Sequence, residues 1–203
     1  MLFELCPEEQ NFLDRVKTFV QEYVLPNTRQ WEKDTAFPKD IWPKLAELGL
    51  LSMTLPKEKG GIGVSCAAYC EACRVLATGD PALSMNVAAI NALCVGHIDN
   101  FGSQEQQDKY LPGIIKGDIK LAWGLTEPDA GSDARRVKTV ATPIADKPGF
   151  FHINGEKMFI TNGGNADLII MVARTSETEL SACLVGRSEG GFTLAERMDT
   201  GGG

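Results

Sequence analysis

Around Lys116-Gly117-Asp118 the sequence changes its hydrophobic period, and that change limits the fold more than any other feature. Upstream, apolar residues recur at helical spacing, so that one face of each segment can be buried. Downstream they gather into short β-rich runs: IKLAWGLT, VKTVAT, GFFHI, EKMFIT, DLIIMVAR, LSACLVG and FTLAER. Helices first and strands afterwards give segregated parts rather than a βαβ alternation. The expected class is α+β, with a helical bundle over residues 1–117 and a small antiparallel β-sheet or barrel over residues 118–203.

In the first part, Phe12, Val16, Phe19, Val20, Tyr23 and Val24 line one helical face, with Pro7 suited to a first turn and Pro26 closing or kinking the end. A short helix follows Pro38 and stops at Gly49, and PKEKGGIG reads as a loop. Ser65 is placed to cap a helix carrying Tyr69, Cys73 and Leu76. Ala82 to Val95 is apolar on nearly every face, which suits a helix surrounded by others. Ser103 followed by Gln106 forms a capping box for a helix with Leu111 and Ile114 inside. In the second part, Asn154-Gly155 between FFHI and EKMFI predicts a tight hairpin.

The formal charge of −7, from 20 Lys plus Arg against 27 Asp plus Glu, argues against nucleic acid as a partner, because phosphate neutralisation needs a basic patch. No apolar run of about 18 residues is expected to span a bilayer. The N-terminus, MLFELCPEEQNF, has neither a basic segment nor a long apolar core, so it does not read as a signal peptide. Six cysteines are too sparse for a disulfide framework in 203 residues. A reducing, cytoplasmic location is the expectation. Gly201 to Gly203 read as a flexible linker edge or truncation.

The segment richest in chemistry is LAWGLTEPDAGSD, Leu121 to Asp133. A strand delivers Thr126, and Pro128 then breaks the ladder because it lacks a donor. Ala130-Gly131-Ser132 makes a small-residue loop whose amides can face phosphate oxygens or a polar ring edge, with Trp123 and Leu125 as apolar contacts. A plain β-turn with capping hydroxyls would look the same. It is neither a Walker loop nor a dinucleotide fingerprint. In KMFITNGG, a strand would put Phe159 and Thr161 on one side, where an aromatic and a hydroxyl can meet a planar cofactor or simply pack in a sheet. Glu127 and Asp133 are expected to hold the loop through backbone amides.

Cys66, Cys70 and Cys73 spell C-x3-C-x2-C but sit mid-helix on one face, which suits a buried stripe of small apolar groups better than cluster ligation. His97 and His152 have no partner at ligand spacing. No metal is expected.

LTEPDAGSD followed by NGEKMFITNGGNADLIIMVAR resembles the acyl-CoA dehydrogenase family, whose signature runs Leu/Val-Thr-Glu-Pro-x-Ala-Gly-Ser-Asp. FPKDIWPKLAELGLLSMTLPKEKGGIG and FGSQEQQDKYLPGIIKGD resemble that family's helical domain, and the match runs from Cys6 to about Arg197. The resemblance implies FAD as cofactor, received by the second part. Trp123, Gly124, Leu125, Thr126, Gly131 and Ser132 would line the flavin, with the Leu125 backbone and Thr126 hydroxyl on the ring edge. Ser132 would reach both the cofactor phosphates and the thioester end of the substrate. Phe159, Ile160 and Thr161 would form a second wall, Phe159 standing where the family usually carries Trp. It further implies α,β-dehydrogenation of an acyl-CoA thioester, an electron-transfer flavoprotein as electron acceptor, and a homo-oligomer at full length. The family's general base is a glutamate in a third, helical domain, so no catalytic residue is matched in this chain, which is expected to be inactive alone. A non-catalytic FAD- or acyl-CoA-binding module, half of a split enzyme, or a related flavin oxidase or monooxygenase would carry the same motifs.

Overall fold

The computed structural model describes residues 4–195. The ends of both expected domains, and Gly201 to Gly203, lie outside these residues. The chain divides into two compact units, one running through Ile119 and the other covering Lys120–Leu194.

The first unit is helical. Its opening helix runs without a break through α1 (Pro7–Phe19), a π-helical turn (Val20–Val24) and α2 (Leu25–Asp34). Pro26 causes the turn. It has no N–H to donate and its ring crowds the carbonyl four residues back, and the wider π-turn, in which the Leu25 amide reaches the Val20 carbonyl, relieves both. Pro26 therefore loosens the helix without ending it. Phe12, Leu13, Val16, Val20 and Val24 form its buried stripe.

Helix α3 (Ile41–Glu47) ends at Gly49, and α4 (Cys66–Gly79) starts from Ser65, whose hydroxyl accepts from the Ala68 amide. The apolar segment forms α5 (Pro81–Ala89), a second π-turn (Ile90–Val95) and α6 (Gly96–Phe101). Together, Pro81–Phe101 are long and apolar enough to cross a membrane by length and composition, contrary to the sequence reading. Half of its 18-residue apolar window is buried. It also carries a polar anchor. Asn91 is fully buried, accepts from the Met53 amide at 2.7 Å and donates to the Leu50 and Val87 carbonyls at 2.8 and 2.9 Å. Those bonds fix the loop after α3 by satisfying the Met53 amide and the Leu50 carbonyl. Helix α7 (Gln104–Ile115) opens on the Ser103–Gln106 capping box.

The cysteines correct one reading. Cys66 and Cys70 are exposed and Cys73 is half-buried, so the stripe lies at the surface of α4 and not in the core; the fully packed thiol is Cys94. Burial pushes the Cys94 thiol up to about 12. A thiol-reactive reagent should label Cys66 and Cys70 rapidly and Cys94 only after unfolding, as peptide mass mapping would read.

The second unit is a five-stranded mixed sheet. Strand β4 (Leu168–Arg174) pairs in parallel with β1 (Leu121–Gly124), Leu121 opposite Leu168, and antiparallel with β5 (Leu180–Gly186). Strand β2 (Val140–Pro143) meets the end of β4 at Arg174 and pairs antiparallel with β3 (Phe151–Asn154). The sheet is open and its order is β1-β4-β2-β3 with β5 on β4. Thus it is neither purely antiparallel nor a closed barrel. The long connection from β1 to β4 permits a parallel pair, which a short hairpin could not. LIIMVAR is central and mostly buried, as an apolar run without alternation requires.

Two strand-like runs show no strand among the described residues. In EKMFIT the chain leaves β3 and passes over Thr139 so closely that a Cβ on Gly155 would lie 2.3 Å from the Thr139 hydroxyl oxygen. Neither Asn154 nor Gly155 has positive φ, so the expected two-residue turn is absent. Gly155 serves a close approach instead of a reversal. The tight turn lies later, where Asn162, at φ 64°, accepts from the amides of Asn165 and Ala166. Phe192 to Ala195, the described part of FTLAER, is irregular.

Candidate functional site

Backbone bonding draws three stretches of the second unit together. Beyond β1, the Thr126 carbonyl accepts from the Met158 amide at 2.9 Å, joining the 123–126 stretch to the 157–161 stretch. Glu127 and Ala130 exchange amide and carbonyl bonds at 2.8 and 3.2 Å, turning the chain at Pro128-Asp129 and bringing Gly131-Ser132 back beside Thr126. The Asn162 side-chain amide then donates to the Leu121 carbonyl at 3.1 Å, tying the far end of the third stretch to β1.

The exposures of the expected site residues follow from this geometry. Gly124 is buried in the sheet, Trp123, Leu125, Thr126 and Ile160 are half-buried, and Gly131, Ser132, Phe159 and Thr161 are exposed. Ile160 packs against Ala122, Ala166 and Ile169. Phe159 is 67 % exposed and sits at φ 56°, a left-handed conformation that is costly for an aromatic residue. That φ interrupts the strand alternation, so Phe159 and Thr161 are not paired on one strand face as expected. A solvent-exposed ring held in a strained backbone is characteristic of ligand-contacting positions. A Cβ on Gly131 would meet nothing within 4 Å, and the hydroxyls of Thr126, Ser132 and Thr161 take no part in hydrogen bonds among the described residues. The result is an open apolar-and-hydroxyl face, not an enclosed cavity.

Behind this face lies an ion pair that the sequence did not suggest. Lys157 Nζ is 2.7 Å from Glu127 Oε1, with side chains 6 % and 4 % exposed, and also donates to the Leu125 carbonyl at 3.0 Å. Glu127 further accepts from the amides of Lys138 and Thr139 at 2.6 and 3.0 Å and from the Thr139 hydroxyl. Its expected role in holding the loop is thus met. Asp133 does the same on a smaller scale, accepting from the Arg135 amide at 3.2 Å. Burial alone would raise the Glu127 carboxyl, but the bonds from Lys157, Thr139 and the two amides outweigh it and hold the pKa at about 2.

A carboxylate depressed from 4.5 to about 2 stabilises the fold at neutral pH and loses that contribution as pH falls between those values. The loss should be on the order of 3 kcal/mol. Acid titration followed by circular dichroism should show it, and Glu127→Gln should flatten it. A hollow of about 180 Å³ lined by Glu127, Pro128, Asp129, Lys138, Thr139, Gly155 and Glu156 lies off the candidate face, and is acidic and far too small for a dinucleotide. Among the described residues no group of three His, Cys, Asp or Glu side chains could hold a metal ion.

Known proteins resemble this chain in sequence and fold. The family model for the acyl-CoA dehydrogenase N-terminal domain matches residues 6–118, and that for the acyl-CoA dehydrogenase middle domain matches residues 122–203. The short-chain-specific acyl-CoA dehydrogenase of Clostridium acetobutylicum is 32 % identical over 97 % of this chain and 52 % of its own length. Butyryl-CoA dehydrogenase from Megasphaera elsdenii superposes with a TM-score of 0.89 at 31 % identity, over 98 % of this chain and 53 % of that one. A glutaryl-CoA dehydrogenase from Mycobacterium smegmatis, solved in complex with FADH2, gives 0.88 at 31 % identity, over 96 % and 49 %. The chain spans about half the length of the curated relatives it matches. With both family models matched in order along nearly the whole sequence, the chain belongs to the acyl-CoA dehydrogenase family.

Proposed function

We propose that this chain supplies the FAD-holding face of an acyl-CoA dehydrogenase. The observation that carries the reading is the convergence of the 123–126, 130–132 and 157–161 stretches on an open face of exposed hydroxyls and a strained, exposed Phe159. When bound, FAD supplies the hydride acceptor for α,β-dehydrogenation of an acyl-CoA thioester. The residues present fit such a group. Phe159 and Leu125 give flat and apolar contact, Thr126 and Thr161 bond the ring edge, and Gly131 leaves room for the phosphates that Ser132 reaches. Ser132 also orients the thioester end of the substrate. Trp123 and Gly124 back the platform from β1, and Ile160 anchors its second wall in the sheet core.

None of these side chains is a proton acceptor poised beside the platform. Glu127 is buried, both of its oxygens are taken by donors and its pKa is held at about 2, so it is too weak and too enclosed a base and instead orients the loop. The proton-abstracting carboxylate belongs to a segment other than this chain. An electron-transfer flavoprotein receives the electrons, and the complete enzyme is a homo-oligomer.

The chain mixed with FAD should quench flavin fluorescence, and a short-chain acyl-CoA should perturb the flavin spectrum without bleaching it. Bleaching by these 203 residues alone would contradict the absence of the base. No flavin uptake would contradict the reading as a whole.

A further inference from the structure

Resting on the FAD reading above, we propose that Lys157 is a positioning residue for the flavin: it fixes and polarises the Leu125–Thr126 peptide so that the Thr126 N–H faces the ring edge as a strengthened donor. Lys157 Nζ holds the Leu125 carbonyl at 3.0 Å from inside the unit. In a trans peptide the carbonyl and the following N–H point in opposite directions, and the described residues have no cis bonds. The Thr126 N–H therefore points away from the buried ammonium, toward the open face. The neighbouring groups are already committed: the Thr126 carbonyl to the Met158 amide, and the Glu127 N–H to the Ala130 carbonyl. The Thr126 N–H bonds no acceptor among the described residues, and Thr126 is only half-buried.

A charged donor on the carbonyl oxygen draws electron density through the peptide and strengthens the N–H at its other end. Glu127 keeps the ammonium in place at 2.7 Å while neutralising its net charge, so the local effect on the peptide persists without a long-range field. A donor aimed at the ring edge favours the flavin most when the ring has gained electrons. Lys157 thus orients one donor and biases the flavin toward its reduced form without touching it.

Lys157→Met alone leaves Glu127 buried and unpaired, so the informative variant is the neutral pair Glu127→Gln/Lys157→Met, with Lys157→Arg as the conservative rescue. In the FAD-free protein, the Thr126 amide proton should move upfield in the neutral pair and return in the arginine variant, read by NMR. In the loaded protein, the neutral pair should bind oxidised FAD several-fold more weakly. Its bound flavin should show a midpoint lower by about 30 mV, equivalent to tenfold weaker relative binding of the reduced form for a two-electron couple. A folded neutral pair with wild-type FAD affinity, midpoint and Thr126 shift would overturn the assignment while leaving the flavin reading intact. A wild-type chain that takes up no FAD would overturn the flavin reading, and the assignment with it.

Discussion

Glu127→Ala is expected to destabilise the β-rich unit by about 3–5 kcal/mol, because it strands a buried ammonium. Lys157 is 6 % exposed and would keep only the Leu125 carbonyl as a partner. The substitution also frees the Lys138 and Thr139 amides and the Thr139 hydroxyl, each of which donates to Glu127. Removing both charges together should cost much less, since a buried pair contributes little beyond the desolvation it repays. Urea unfolding of wild type, Glu127→Ala and Glu127→Gln/Lys157→Met would measure the ordering. Equal stabilities for the single and double variants would contradict the account of the pair.

Asn91→Ala carries the second large effect, about 2–4 kcal/mol in the helical unit. Three bonds are lost at a fully buried position, leaving the Met53 amide and the Leu50 carbonyl without the partner that satisfies them. The Val87 carbonyl loses its extra donor as well. The loop from Leu50 to Leu55 should loosen first, because Asn91 is what joins it to the central helix. Amide exchange at Met53 rising well before global unfolding is the expected signature. A variant as stable as wild type, with Met53 still protected, would show that water or a neighbouring group replaces the side chain.

Much of the helical unit was legible because its signals are local. Ser65 and Ser103 cap the helices they were assigned to, and the period through Phe12, Val16 and Val20 buries that face. Pro26 was legible as a disturbance but not as a π-turn, since continuation depends on packing on both sides. The strands were legible by composition while their pairing was not. Nothing in LAWG or LIIMVAR specifies a parallel register, which forms only when a long connection brings them together.

The Asn154-Gly155 pair misled because glycine serves two purposes, and here close passage over Thr139 won over the turn. The cysteine stripe misled because a shared helical face does not say whether that face is inward. At the candidate site, the Thr-Glu-Pro and Ala-Gly-Ser segments were recognisable, as was Phe159. Lys157 was not, because its partners at Leu125 and Glu127 are thirty or so positions away and no spacing rule joins them. The one available hint was a lysine at the head of the apolar run Met158-Phe159-Ile160.

The most direct measurement is hydrogen–deuterium exchange of the chain with and without FAD. Protection on adding FAD should centre on 123–132 and 157–161, the stretches that meet at the Thr126–Met158 bond. Protection confined to the helical unit, or FAD that binds while leaving both stretches exchanging as before, would contradict the central claim.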